Sequence, residues 1–140
     1  IITSCGGFPK DMSLYQGSKV IDNLEPALKL GGTLILIAEC RDGGGPAEYF
    51  DWLVPLKNGT LDRELRNNFT IPGYIFYLNC EQAGRYRIMM LSDLNAQDAA
   101  EMGIEVYKDM DELLANANLE GKKTLIVPNG SVVIPRVDKE

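Results

Sequence analysis

Ile1-Ile2-Thr3-Ser4-Cys5-Gly6-Gly7-Phe8-Pro9-Lys10-Asp11-Met12-Ser13-Leu14-Tyr15-Gln16-Gly17-Ser18-Lys19 reads as a strand that stops on two glycines and launches a helix. Glycine reaches backbone conformations closed to other residues, so a short apolar run can turn sharply there. Pro9 stiffens the exit, and Asp11 or Ser13 can cap the helix that follows. That helix is amphipathic from about Ser13 to Leu28, with Leu14, Ile21, Leu24 and Leu28 on one face. Gly17 allows close packing, and Gly31-Gly32 end the helix.

The same alternation continues outward. Thr33 to Ala38 is a near-continuous apolar run, as expected of a central strand in a parallel sheet covered by helices. Residues 46–82 read as mostly helical, with breaks near Asn58-Gly59 and Pro72-Gly73. Further strands are expected at Arg87–Leu91, Glu105–Tyr107 and Thr124–Val127, followed by an apolar stretch from Ser131 to Pro135. Asn95 can cap a helix running to Met102 and closed by Gly103, while Asp109 and Glu112 resemble a capping box for a helix ending near Asn118. Strands alternating with helices predict an α/β fold: a three-layer, Rossmann-like domain with a mostly parallel sheet. The 140 residues suffice for one such domain and not for two.

Bulk properties narrow the function. A net charge of −6 argues against a nucleic-acid partner, which needs a basic face. Much of that excess is local, with eight acids against the single Lys108 between Asp93 and Glu120, and a solvated acidic surface accounts for it. No apolar run approaches the length of a membrane span and no signal peptide is present, so a cytoplasmic protein without a membrane partner is expected. Cys5, Cys40 and Cys80 are odd in number, widely spaced and fit neither a disulfide framework nor a zinc site. The chain contains no histidine, which excludes imidazole acid–base chemistry and imidazole metal ligation from it. It also lacks an initiating methionine and begins within an apolar strand, as expected of one domain cut from a longer protein.

In a parallel sheet the ligand lies beyond the carboxyl ends of the strands. The loops after Cys5, Ala38, Leu91, Tyr107 and Val127 should gather there. Gly6–Asp11 and Cys40–Gly45 combine glycine with cations, Lys10 in the first and Arg41 in the second. Next to them, Tyr15 and Lys19 lie one helical turn apart, with Gln16 beside them. A phenol, an amide and an ammonium near a helix N-terminus can receive a small carboxylate or phosphate. Lysines are unfavourable at that positive dipole end unless an anion is expected. A solvent-exposed helix face and an ordinary tight turn are the plainer alternatives. Arg41 can clamp a carboxylate through its bidentate fork, or join a surface ion-pair cluster with Glu39 and Asp42. Cys5 and Cys40 read as buried filler at strand ends, and Tyr49, Phe50 and Trp52 as core or interface.

Gly6-Gly7-Phe8-Pro9-Lys10-Asp11 running into Leu14-Tyr15-Gln16 and Lys19 closely resembles a signature of the lactate racemase family that uses a nickel-pincer nucleotide. Gly31-Gly32, the strand into Ala38-Glu39-Cys40-Arg41, and Gly43 and Gly45 are similar to the same family's C-terminal domain. The resemblance is close over residues 3–53 and general beyond, resting on strand order and on Pro128-Asn129-Gly130. It implies an isomerase that removes a hydride from the alcohol carbon of a 2-hydroxy acid and returns it to either face. It further implies that a partner N-terminal domain of the same protein, absent from this chain, holds the nickel-pincer cofactor and the acid–base histidines. Gln16 and Lys19 match the family's catalytic positions, and Tyr15, Gln16 and Lys19 its substrate-binding ones, with Lys10 and Arg41 as possible secondary contacts. No metal ligand is expected in this chain, which alone should be inactive. The alternative is a non-catalytic anion-binding or interaction domain of the same fold.

Overall fold

In the computed structural model, residues 1–136 are described. The expected single domain over residues 1–140 therefore includes four positions, 137–140, that lie outside the described residues. Five parallel strands form one sheet: β1 (Ile2–Ser4), β2 (Thr33–Ile37), β3 (Arg87–Leu91), β4 (Ile104–Tyr107) and β5 (Ile126–Val127). Their spatial order is β4-β3-β2-β1-β5. The register pairs Ile2 with Ile35 and Ile126, Ile35 with Met89, and Met90 with Val106.

The chain steps outward from β1 through β2 and β3 to β4, then returns to the other side of β1 for β5. Crossovers of one hand that run in opposite directions place their helices on opposite faces. Helices α1 (Leu14–Gly17), α2 (Lys19–Leu24), α3 (Leu53–Lys57), α4 (Leu61–Asn67), α5 (Ile71–Arg85) and α6 (Ala96–Glu101) follow the outward steps. The larger core joins this side to the sheet, through Leu14, Ile21, Leu24 and Phe76 against Leu34, Leu36, Ile88 and Met90. The return step carries α7 (Met110–Ala117), whose Leu113 and Ala117 cover Ile35 and Met89 on the opposite face. Leu34, Ile35 and Leu36 are all buried because β2 has helices on both sides.

Three elements differ from the sequence expectation. The helix expected over Ser13–Leu28 is divided at Ser18 into α1 and α2, and its last residues, Glu25–Ala27, wind as a 3-10 turn around Pro26. Gly17 lies at the break, where an added Cβ would stand 3.3 Å from the Cys5 sulfur and 3.6 Å from the Ala38 Cβ. That close approach to the sheet sets the path of the chain. The second difference is α5, which runs unbroken through Pro72-Gly73. Pro72 sits in the first turn, where its missing N–H costs nothing. Gly73 faces the Trp52 indole at a distance that leaves no room for a side chain. The final strand is also shorter than expected, Ile126–Val127 instead of Thr124–Val127, and the apolar stretch after it begins with a 3-10 turn at Gly130–Val132.

Candidate functional site

The loops after the strands meet at the carboxyl edge of the sheet, and backbone hydrogen bonds join them in pairs. Cys40 N–H donates to Asp11 O at 2.8 Å, Asp42 N–H to Met12 O at 2.9 Å, Leu14 N–H to Gly43 O at 2.9 Å, and Tyr15 N–H to Gly44 O at 3.1 Å. The loop after β1 and the loop after β2 thus form one body. On its other side the β1 loop leans on the segment after β5. Ser4 Oγ donates to Pro128 O, and Gly6, at φ +89°, passes so close to Asn129 that a Cβ would lie 2.7 Å from its Oδ1. This is the point where strand order reverses, the usual place for a ligand in such a sheet.

Ser13, and not Asp11, caps α1: its Oγ accepts from Gln16 N–H at 3.4 Å. Asp11 turns inward instead, and its Oδ2 accepts from Glu39 N–H at 3.4 Å. With Ser13 as cap, Tyr15, Gln16 and Lys19 project together. Lys19 Nζ donates to Gln16 Oε1 at 2.8 Å and stands 5.4 Å from the centre of the Tyr15 ring. Tyr15 and Gln16 are half-buried, whereas the Lys19 side chain is exposed. The Lys19 bond fixes the Gln16 amide, since an ammonium must face the oxygen and leaves the NH2 group pointing elsewhere. The group therefore presents donors: two ammonium hydrogens, an amide NH2 and a phenol.

The secondary candidates lie on the same pair of loops but make no contact with this trio. Arg41 stacks on the Phe8 ring, its guanidinium carbon 4.3 Å from the centroid. Lys10 is exposed on the β1 loop, between Phe8 and the inward-turned Asp11. Cys5 and Cys40 are buried, and burial pushes their thiols up to about 12 and about 11. Such thiols are poor nucleophiles at neutral pH. Among the described residues there is no group of three or more His, Cys, Asp and Glu that could hold a metal ion.

Two features of this edge carried no local sequence signal. A cavity of about 300 Å3 opens between the ends of β2, β3 and β4, lined by Asp11, Glu39, Ser92, Asp93 and Lys108. Lys108 is already engaged there, donating to Ser92 O at 2.8 Å and lying 3.7 Å from Asp93. Behind Tyr15 stands Tyr49, fully buried, with its ring edge-on at 6.5 Å. Only the three-dimensional approach of the two loops brings these residues, distant in sequence, together.

A doubly wound α/β domain with a donor-rich surface at its strand reversal is the class that fold and site define. The chain belongs to the lactate racemase C-terminal domain family, whose model matches residues 1–135. It is 28% identical over 148 residues to the lactate racemase of Thermoanaerobacterium thermosaccharolyticum, covering 97% of this chain and 34% of that one. Against the lactate racemase of Lactiplantibacillus plantarum it is 30% identical over 142 residues, covering 95% and 34%. The solved lactate racemase apoprotein from T. thermosaccharolyticum superposes with a TM-score of 0.79 at 26% identity, over 97% of this chain and 35% of that one. The chain thus spans about a third of the length of the relatives it matches.

Proposed function

We propose that this chain is the C-terminal, substrate-positioning domain of a longer two-domain 2-hydroxy-acid racemase or epimerase of the lactate type. The relatives' greater length and their activity, an isomerisation, support that assignment. The observation that carries the positioning role is the Lys19–Gln16 bond, because it leaves the Gln16 NH2 free beside the Lys19 ammonium and the Tyr15 phenol, which can also donate. A cationic, donor-rich surface fits a small anion, and a 2-hydroxy carboxylate supplies both an anionic group and an oxygen at the reacting carbon. Lys19 and Gln16 hold the carboxylate or the oxygen that develops carbonyl character, so the alcohol carbon keeps one position relative to the partner domain. Tyr15 adds a third donor and one wall.

The nickel-pincer nucleotide belongs in this reading to the N-terminal domain, where it supplies the hydride acceptor. The residues of this chain orient the substrate toward that domain and shield it from water when the cleft closes. Cytoplasmic location is part of the same proposal, and no helix among the described residues is long and apolar enough to cross a membrane.

The test is racemisation of a 2-hydroxy acid by the full-length protein with Lys19→Ala and Gln16→Ala. Both variants should lose turnover far out of proportion to any change in melting temperature. Parent-like racemisation by both would remove the site assignment. An intact mass and metal analysis of the parent from its native host comes alongside. A nickel-bearing mass excess supports the enzyme, and an unmodified, metal-free chain from a host that makes the cofactor favours the non-catalytic anion-binding alternative.

A further inference from the structure

We infer that Tyr49 is a positioning residue for Tyr15, held in place by Asn79, with the bare backbone of Gly45 packed close to the Tyr15 Cβ. The inference rests on the reading above, in which Tyr15 faces the substrate. Tyr49 is fully buried, and its ring meets Tyr15 edge-on at 6.5 Å and 84°. It meets Phe50 at 5.3 Å and Phe76 at 5.4 Å in the same manner. Packing of that kind would be complete with phenylalanine. A hydroxyl in such a place is unfavourable unless bonded, and so is the amide of Asn79, which is 2% exposed in the middle of α5.

The two groups satisfy one another: Asn79 Nδ2 donates to Tyr49 OH at 2.6 Å. The bond anchors the tip of the ring, so that the Tyr49 side chain keeps one place against Tyr15. Burial leaves the phenol neutral, its pKa driven far upward by desolvation against the opposing pull of the Asn79 contact, so it takes no part in proton transfer. Gly45, at φ +107°, comes so near that a Cβ would stand 3.1 Å from Tyr15 Cβ and 2.8 Å from Ser13 Oγ. Tyr15 N–H is tied to Gly44 O at 3.1 Å, and a Cβ on Gly44 would itself stand 2.7 Å from the Tyr49 ring. Tyr15 is therefore packed by an anchored aromatic ring and a glycine. A small displacement of a positioning group can cost orders of magnitude in rate, which makes such packing kinetically meaningful.

The experiment is a double-mutant cycle on the full-length enzyme, using Tyr15→Phe, Tyr49→Leu and the pair, with kcat and KM measured for lactate. If Tyr49 acts through the Tyr15 phenol, Tyr49→Leu lowers kcat/KM about tenfold in the parent and by less than about twofold in the Tyr15→Phe background. Tyr49→Phe, which keeps the aromatic edge but loses the Asn79 bond, recovers only part of the loss, and full recovery would overturn the role given to Asn79. Equal losses in both backgrounds mean a structural role only and overturn the inference. So does a Tyr15→Phe enzyme as active as the parent, since there is then no phenol to hold. Should Tyr49→Leu fail to fold, Gly45→Ala replaces it in the same cycle, displacing Tyr15 without opening the core. Lys19→Ala and Gln16→Ala in parallel separate the two readings: parent-like racemisation by both defeats the site assignment on which this inference rests, whereas their loss of turnover beside an additive cycle defeats only the Tyr49 assignment.

Discussion

Lys19 commits one ammonium hydrogen to Gln16 and leaves the others to a ligand. Because the side chain is exposed, truncating it removes little packing. Lys19→Ala should therefore lower kcat/KM for lactate by roughly a hundredfold or more while the melting temperature stays within a few degrees of the parent. Steady-state kinetics beside a thermal melt checks both halves. A different single residue governs pH behaviour. Asp22 Oδ1 accepts from Gln82 Nε2 at 2.5 Å, and desolvation, with the nearby Glu25 charge, raises the Asp22 pKa above its usual value. A raised carboxyl is bound to its proton more tightly in the folded state, so stability falls as pH rises through the Asp22 range. Asp22→Asn keeps the acceptor without the charge. The variant should be more stable than the parent at pH 7, and that advantage should vanish as pH falls below the raised pKa. Urea unfolding at several pH values gives the comparison, and an advantage of constant size would contradict it.

The element scale shows which parts of the fold were legible. Strand β2 was clear because burial on both faces demands apolar residues at every position from Leu34 to Leu36. The helix caps at Asn95 and Asp109 were equally clear, since each side chain accepts from backbone N–H groups that follow it closely in sequence. Pro72-Gly73 was misread because a helix breaker and a first-turn proline look alike until the partner of Gly73 is known. The Ser18 break escaped notice for the same reason, its cause being the approach of Gly17 to Cys5 and Ala38 across the fold. Tyr15, Gln16 and Lys19 were legible as a set because one short segment carries them, whereas the packing around Tyr15 draws on Gly45 and Tyr49, 30 and 34 positions away. Gly73 provides a quantitative test. Alanine would gain about 1 kcal/mol in helix propensity, but its methyl would press on the Trp52 indole, a cost of about 1–3 kcal/mol. The clash exceeds the gain. Gly73→Ala should lower the denaturation midpoint, and Trp52 fluorescence follows the change directly.

At the scale of the whole molecule, the donor surface lies on one edge and the domain lacks histidine altogether. In the two-domain reading the hydride acceptor and the acid–base histidines lie on the other domain, and substrate positioning alone cannot invert a stereocentre. The 140-residue chain by itself should give no racemisation of lactate above a blank by chiral chromatography, and activity from the chain alone would defeat the two-domain reading. Two ion pairs, Lys57–Glu101 and Arg66–Asp62, join exposed groups, so Lys57→Ala and Arg66→Ala should each leave the melting temperature nearly unchanged.

The sheet order has a consequence for how the domain is made. Ile2 pairs with Ile35 on one side and with Ile126 on the other. Of these five strands, the first to be made is thus flanked by one that follows soon and one that emerges last. At about 5–20 residues per second, one edge of β1 stays unpaired for roughly 6–25 s of translation. During that interval Gly6 has no Asn129 to rest against. The loop that presents Tyr15 thus gains its last support only when synthesis has passed Asn129, so a ribosome stalled shortly before that point holds a nearly complete core beneath an unfinished site.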